Sequence, residues 1–211
     1  MITQSALFKN FTIEYSEERQ FKLAEYALSK IGSKPIGFSM LIEMNNMAKG
    51  ETKINIFPNK EGGSATGMML TESQFQKYPN ISNLPDVKWK IERAKTIVAD
   101  KSIGGEGQPT SAFIVWNTKE ANYVSDTGKN ARVEDEKMSF VTLAHELVHA
   151  YWIMKGKTLG IKPDINGVHN MEEWRAIGIN NFLNDRFTEN NIRREHGLPL
   201  RLQYAGENFI R

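Results

Sequence analysis

The residues best placed for chemistry in this 211-residue chain are two histidines on either side of a glutamate, in the sequence His145-Glu146-Leu147-Val148-His149. In a helix, residues four apart project from the same face, so both imidazoles can reach one ion at the roughly 2.0–2.1 Å that zinc requires. Glu146 points about 100° away and can contact a metal-bound water instead of the metal. This HExxH pattern predicts a zinc hydrolase with Glu146 as the general base. Two histidines that only pack or hydrogen-bond are the alternative.

A catalytic zinc takes three protein ligands and keeps one position for water. The chain has four histidines and no cysteine, which excludes cysteine-based metal sites and thiol nucleophiles. The candidates for the third ligand are Asp164, His169, Glu172 and Glu173. Glu173 is preferred, because Ala176 one turn later is small and lets two helices approach closely. Glu172 is the second choice or orients a ligand histidine from behind, and His169 is expected to be an ordinary loop residue.

Three helices in the second half of the chain must position these groups. A stripe of apolar residues predicts the first helix over Glu136–Lys155, around the HExxH sequence. The second is predicted over Met171–Asn184 and begins with the candidate glutamates. Thr188 can cap the third helix, whose end is marked by Gly197 and Pro199.

The first half of the chain is predicted to mix helix and strand. Apolar spacing predicts a helix over Ser16–Ile31, and alternation predicts strands over Ile36–Glu43 and Thr52–Phe57. Ser111–Trp116 is predicted to be a buried strand, or the sheet edge that pairs with an extended substrate. Elsewhere we expect polar loops over Phe57–Gly67 and Asn117–Glu136. The pattern over Pro85–Asp100 is ambiguous, and its apolar spacing favours a helix. A solvated basic face is expected at Lys88, Lys90, Arg93 and Lys95, with a docking surface for an acidic partner as the alternative.

This order of elements predicts an α+β fold for the whole chain, as a single zincin-like metallopeptidase domain over residues 1–211. It would combine a small mixed sheet, the HExxH helix and a helical C-terminal half. We expect residues 1–110 to form an N-terminal elaboration with a helix and strands, and residues 111–211 to form the catalytic core.

Charge and hydropathy exclude several classes of protein. The chain has 27 Lys and Arg against 25 Asp and Glu, a net charge of +2, which is too small to predict nucleic-acid binding. No apolar run approaches the roughly 18–20 residues that cross a bilayer, so no membrane partner is expected. Met1–Asn10 lacks the apolar stretch of a Sec signal peptide. A monomer is expected.

Three motifs together resemble the NleD-type zinc endopeptidases, peptidase family M91 of bacterial effectors and toxins. They are His145–Trp152 (HELVHAYW), Glu172–Gly178 (EEWRAIG) and Thr188–Tyr204 (TENNIRREHGLPLRLQY), and the resemblance extends over Ser111–Tyr204. It implies a gluzincin-type endopeptidase with one Zn²⁺ ion. Effector members are injected into host cells by type III secretion and cleave the activation loops of MAP kinases of the JNK and p38 groups. A host protein substrate and delivery to the host cytosol are therefore implied.

The third motif adds Arg201 and Tyr204, which follow the break at Gly197-Leu198-Pro199. A guanidinium and a tyrosine hydroxyl can both donate hydrogen bonds to the oxyanion of peptide hydrolysis. A similar Arg-x-x-Tyr pair accompanies the zinc motif in clostridial neurotoxin light chains, which the family is similar to in catalytic layout. We therefore expect Tyr204 and Arg201 to be catalytic alongside Glu146. The alternative is a surface arginine and a packed tyrosine.

Two other functions stay open. Some branches of the resembled family are toxin domains, so the target could belong to a bacterial competitor. The zinc could also be structural in a non-enzymatic interaction domain, which a fourth protein ligand would indicate. The sequence identifies no substrate-binding residues and no scissile bond.

Overall fold

A computed structural model describes residues 1–78, 80, 107–159 and 171–204, which together form an α+β fold, as expected. The strands are β1 (Ile2–Gln4), β2 (Phe11–Glu14), β3 (Ile54–Asn59), β4 (Ala65–Met69), β5 (Ser111–Asn117), β6 (Glu120–Val124) and β7 (Asn130–Glu134). The helices are α1 (Glu18–Gly32), α2 (Pro35–Met47), α3 (Glu72–Lys77), α4 (Ser139–Met154), α5 (Met171–Ile177) and α6 (Glu189–Glu195), with a 3₁₀ turn at Asn180–Phe182.

The main sheet of the described residues has the order β1-β2-β3-β5-β4. Strands β2, β3 and β5 are parallel, whereas β1 and β4 run antiparallel to their neighbours at the two edges. Strands β6 and β7 form a separate antiparallel hairpin. The buried strand predicted at Ser111–Trp116 is confirmed. Because it lies between β3 and β4, the alternative that placed it at the sheet edge is wrong. The edge strand next to β5 is β4.

Helix α4 carries the HExxH sequence and is buried along nearly its whole length. Its apolar residues, among them Leu143, Leu147 and Val148, pack in one core with the apolar side chains of β3 and β5. The indole nitrogen of Trp116 on β5 donates to the carbonyl of Ser139 at 3.1 Å and joins the sheet to the start of the helix. Burial of each such Leu contributes about 1.5–3 kcal/mol, so α4 is held rigidly against the sheet.

The predicted strand at Ile36–Glu43 is wrong, because these residues belong to helix α2. Pro35 occupies the first turn, where its missing N–H costs no hydrogen bond. Alternation of apolar residues suggested a strand, but the buried side chains Met40, Leu41 and Met44 follow helical spacing, and Phe38 stays half exposed.

Two predicted loops also contain strands. The segment Phe57–Gly67 includes the end of β3 and half of β4, in which Gly67 lets the ring of Phe113 lie against the backbone. A Cβ at Gly67 would be 2.2 Å from that ring, so the glycine serves packing rather than a turn. The segment Asn117–Glu136 contains the β6–β7 hairpin, whose polar residues concealed it because one side of the hairpin is exposed.

The other predicted elements are confirmed with shifted ends. They are the helix over Ser16–Ile31, the strand over Thr52–Phe57, and the two helices that begin near Glu136 and Thr188. The helix predicted over Met171–Asn184 stops at Ile177, because Gly178 adopts a left-handed conformation with φ +84°. Among the described residues, no helix has the length and apolar character needed to cross a membrane. Pro85–Asp100 with its basic residues, Asp164 and His169 lie outside the described residues.

Candidate active site

Three side chains from two helices bring their donor atoms together at one point. On α4, Nε2 of His145 lies 3.2 Å from Nε2 of His149. From α5, the carboxylate of Glu173 approaches both rings, with oxygens 3.1 Å from Nε2 of His145 and 3.4 Å from Nε2 of His149. The two imidazole rings are nearly perpendicular, at 81°, so both nitrogens face a common centre instead of stacking.

The spacing of these donors fits a zinc ion. Tetrahedral zinc with bonds of about 2.0–2.1 Å separates its ligand atoms by about 3.3–3.4 Å. The two histidine nitrogens are 3.2 Å apart, and the Glu173 carboxylate has one oxygen 3.1 Å from His145 and the other 3.4 Å from His149, so each histidine has a carboxylate oxygen near that spacing. These three residues are a group able to hold a metal ion among the described residues. Two nitrogens and one carboxylate oxygen are also a donor set typical of catalytic zinc.

Glu146 lies in the cavity beside this cluster and is buried. The hydroxyl of Thr66 on β4 lies 2.7 Å from its Oε2 and 2.9 Å from its backbone carbonyl oxygen. A hydroxyl has one hydrogen to donate, so Thr66 can donate to the carboxylate or to the carbonyl of Glu146, and it lies against one carboxylate oxygen only. The edge strand β4 thereby touches the predicted general base.

Glu189 is a functional residue that the sequence interpretation missed. At the start of α6, this buried carboxylate places Oε2 2.9 Å from Nδ1 of His145, on the side of the ring away from the cluster. The same oxygen accepts from Arg201 at 2.6 Å, and Oε1 accepts from Arg193 at 2.6 Å. Burial by itself raises the pKa of Glu189, but Arg201, His145 and Arg193 outweigh burial and hold the pKa well below its usual value.

The sequence did contain a weak signal for Glu189. It follows the helix cap Thr188, where an acidic residue is common for electrostatic reasons alone. A carboxylate that accepts from the second nitrogen of a ligand histidine fixes the tautomer and the orientation of the ring. Only the packing of α6 against α4 shows that Glu189 has this position.

Glu172 and Glu173, adjacent in sequence, occupy different positions. Glu173 joins the histidine cluster, and the two histidines hold its pKa far below the usual value in spite of burial. Glu172 accepts a hydrogen bond from the amide of Leu159 at 2.6 Å, and its other oxygen lies 3.9 Å from Nδ1 of His149. Glu172 thus lies behind His149, as Glu189 lies behind His145.

Arg201 and Tyr204 both line the cavity that contains His145, Glu146 and Glu173. Arg201 is only 3% exposed, and its guanidinium is engaged with Glu189. Tyr204 is half-buried. Burial, followed by the Glu173 carboxylate, raises the pKa of its hydroxyl, so the hydroxyl remains a hydrogen-bond donor at neutral pH. The cavity has a volume of about 540 Å³, and the remainder of its wall comes from β6, β7 and the segment before β4.

Comparison with known proteins defines the class. The family model Peptidase M91, described as an effector protein, matches residues 9–204. The match covers far more than half of the chain, so the chain belongs to this family of peptidases. It extends well to the N-terminal side of Ser111, where the motif resemblance stopped. Within this family, the chain carries the HExxH sequence on a helix and a His, His and Glu cluster able to hold a metal ion.

A solved structure similar to this chain is the catalytic domain of Clostridium botulinum neurotoxin serotype F, with a TM-score of 0.49 and 14% sequence identity. The alignment covers 85% of this chain and 48% of that one, so this chain spans about half the length of the neurotoxin domain. Among curated proteins, none matches the sequence.

Proposed function

We propose that the protein is a zinc endopeptidase that binds one Zn²⁺ through His145, His149 and Glu173. The observation that carries this proposal is the meeting of two imidazole nitrogens and the Glu173 carboxylate, at 3.1–3.4 Å from one another, in a chain of a peptidase family. A cavity of about 540 Å³ adjoins the cluster and leaves room for water and substrate. A structural zinc would instead have a closed site with four protein ligands.

In this proposal, Glu146, Tyr204 and Arg201 each have a different role in peptide hydrolysis. Bound zinc would lower the pKa of a coordinated water toward about 7 and polarise the scissile carbonyl. Glu146 accepts the proton of the attacking water and passes it to the leaving amine nitrogen. The hydroxyl of Tyr204 donates a hydrogen bond to the developing oxyanion. Arg201 adds positive charge to the same wall, although its Nη1 is bonded to Glu189.

The edge strand β4 is the surface on which an extended substrate would bind. In the described sheet, β4 is paired with β5 on one side only, so its other backbone edge can accept a peptide strand. Thr66 on β4 touches Glu146, and this contact supports a binding mode in which the scissile bond of such a peptide lies beside the proposed general base. The substrate segment must therefore be extended or become so, as in an exposed activation loop.

The substrate we propose is a host protein. Membership of the effector family supports secretion and a protein target. The resemblance to NleD-type members suggests the activation loops of JNK and p38 MAP kinases, reached in the host cytosol after type III secretion. Growth arrest on expression in bacteria, without cleavage of host proteins, would favour a toxin that acts on bacterial competitors.

The test is incubation of host-cell lysate with the zinc-loaded protein, followed by mapping of new protein N-termini by mass spectrometry. We expect new termini that disappear with a chelator and with Glu146→Gln, because loss of a general base costs about 10²–10⁴-fold in rate. Glu146→Gln should still bind one zinc, measured by metal analysis. As a matched control, Glu136→Gln removes an exposed carboxylate near the start of α4 and should cleave normally. Unchanged cleavage by Glu146→Gln would contradict the mechanism.

A further inference from the structure

The β6–β7 hairpin presents one face to the metal cavity. Side chains two residues apart share a face of a strand, and Asn122 is paired directly opposite Arg132. Glu120 and Asn122 on β6 therefore face the same way as Asn130 and Arg132 on β7. All four of these residues line the cavity that contains His145 and Glu146. The hairpin is thus one wall of the candidate active site.

A second cavity of about 550 Å³ continues from the first along this wall. Glu120 and Arg132 line both cavities, so they stand at the junction. The second cavity is otherwise lined by Lys60, Gly62, Asn117 and Glu134 together with neighbouring residues. Because they share these two lining residues, the two cavities adjoin, and together they form a cleft.

Arg132 forms an ion pair with the buried Glu120, and most of its side chain is exposed. Its Nη2 lies 2.6 Å from Oε1 of Glu120, and the exposed fractions of the two side chains are 67% and 6%. Oε2 of Glu120 accepts from the amide and hydroxyl of Ser64 at 2.7 and 2.9 Å, so this carboxylate is held firmly. A guanidinium has five N–H donors, and within the described part of the chain the Glu120 pair is the ion pair that Arg132 makes. Its remaining donors can bind another anion.

The charges in the cleft distinguish Arg132 from Arg201. Arg201 also lines the metal cavity, but it is only 3% exposed and its Nη1 is bonded to Glu189, whereas the Arg132 side chain is 67% exposed. Arg132 is therefore the exposed cation in the described lining of that cavity. A guanidinium binds carboxylates in a two-pronged geometry. Lys60, Glu61 and Glu134 also line the second cavity, and the two carboxylates repel a dianionic phosphate more strongly than a single carboxylate.

Contacts with β4 and the residue before it show how far Arg132 lies from Glu146 along the edge of the sheet. Thr66 contacts Glu146, and Ser64, two residues earlier, contacts the Glu120 that anchors Arg132. Two residues of extended chain span about 7 Å. A peptide paired with β4 would therefore carry a side chain past Arg132 two or three residues from the bond that Glu146 acts on.

We propose that Arg132 is a specificity-determining residue that binds the carboxylate of an Asp or Glu side chain two or three residues from the scissile bond. This inference rests on the proposed function and names the substrate feature that the same site selects. The other source of a carboxylate is the C-terminus of a peptide, which would make the enzyme a carboxypeptidase.

The test is a cleavage profile of the zinc-loaded protein on a proteome-derived peptide library, read by mass spectrometry. We expect Asp and Glu to be enriched at one position two or three residues from the cut. Arg132→Gln should remove the enrichment, and Arg132→Glu should replace it with Lys and Arg. On one synthetic peptide, exchange of that Asp for Asn should lower kcat/KM of the wild type about tenfold to a hundredfold, and that of Arg132→Gln by less than about twofold.

Matched variants separate recognition from loss of structure. Lys129→Gln removes one positive charge from the hairpin without touching either cavity, and should keep the wild-type profile. Glu120→Gln combined with Arg132→Gln removes both charges of the pair, and should lose the enrichment while it still binds zinc. Peptides with amidated C-termini should be cleaved as before.

Three results would overturn the proposal. The first is an unchanged acidic preference in Arg132→Gln. The second is wild-type cleavage without any acidic preference, which would leave the proposed peptidase function intact. The third is loss of cleavage on amidation alone, which would assign the carboxylate to the chain end. If the zinc-loaded wild type cleaves neither library nor lysate, the proposed function itself fails, and this proposal with it.

Discussion

At the scale of single residues, a carboxylate behind each histidine fixes the orientation of its ring in the cluster. Each histidine offers Nε2 to the centre and has a carboxylate near its Nδ1, Glu189 for His145 and Glu172 for His149. Such carboxylates orient the imidazole and strengthen it as a ligand. Glu189 has a further role, because the same carboxylate joins His145 to Arg201. A change at Glu189 therefore affects the metal ligand and the opposite wall of the cavity together.

Exchange of Glu189 for Gln should lower zinc affinity or kcat/KM by about 10–100-fold. It should also destabilise the protein by about 3–5 kcal/mol, because Arg193 and Arg201 would be buried without an anionic partner. Zinc titration and thermal unfolding measure the two effects. Glu136→Gln, in an exposed ion pair with Arg19, should change stability by no more than about 1 kcal/mol. Wild-type zinc affinity in Glu189→Gln would show that His145 needs no such partner.

Secondary-structure elements set the positions from which these side chains act. Helix α4 supplies both histidines and the base, α5 supplies Glu173, and α6 supplies Glu189. The segment that carries Arg201 and Tyr204 has no regular structure and is fixed by α6. The side chain of Asn190 donates to the carbonyl of Arg201 at 2.8 Å and accepts from its amide at 2.9 Å. The hairpin adds a hydrogen bond from the amide of Leu202 to the carbonyl of Gly128 at 3.1 Å.

Asn190→Ala should therefore release the segment that carries Tyr204 while it leaves the zinc ligands in place. We expect kcat to fall about tenfold or more with KM and zinc content little changed, because an oxyanion donor acts mainly in the transition state. The neighbouring Asn191 bonds the loop before α6 instead, so Asn191→Ala is the matched control. If the two variants have equal kcat, Asn190 does not position the catalytic segment.

In the folded protein, the protonation of His145 and His149 is coupled to metal binding, because the pKa values of both histidines are raised. Burial lowers the pKa of His145, but hydrogen bonds with Glu173 and Glu189 outweigh it and raise the pKa from 6.5 to about 9. The pKa of His149 is also raised, since Glu173 and Glu172 outweigh its burial. Without a metal, the folded state thus holds protons that zinc must displace, and zinc affinity should increase with pH.

A raised pKa in the folded state means that the protonated histidine stabilises the fold below the unfolded pKa of 6.5. This contribution is lost as pH rises through about 9. The Tm of the chelator-treated protein should therefore fall between pH 6.5 and 9, and the increase in Tm on zinc addition should grow over the same range. Glu173→Gln should flatten the fall, because it removes the carboxylate that holds the protons. A Tm that rises over this range in the chelator-treated protein would contradict the proton linkage.

Local sequence was enough to predict the centre of this site. The spacing of His145 and His149 on one helical face depends only on helix geometry, and the apolar stripe around them predicts the helix. The absence of cysteine and the small residue one turn after Glu173 led to the prediction of a third ligand on α5, and the structure brings Glu173 next to both histidines. The class of fold followed from the order of elements, although α2 was mistaken for a strand because its apolar residues also alternate.

The positions of Glu189, Arg132 and the sheet edge were decided by the tertiary structure, because each depends on contacts between residues far apart in the chain. Glu189 looks like an ordinary acid at a helix start until α6 packs against α4 and brings it to His145. Arg132 lies in a polar segment that was expected to be a loop, and it becomes part of the cleft only through the pairing of β6 with β7. The edge of the sheet also depends on strand order, which places β4 outside β5. Helical periodicity acts over a few residues and is visible in sequence, whereas the pairing of strands and the docking of helices depend on the whole core.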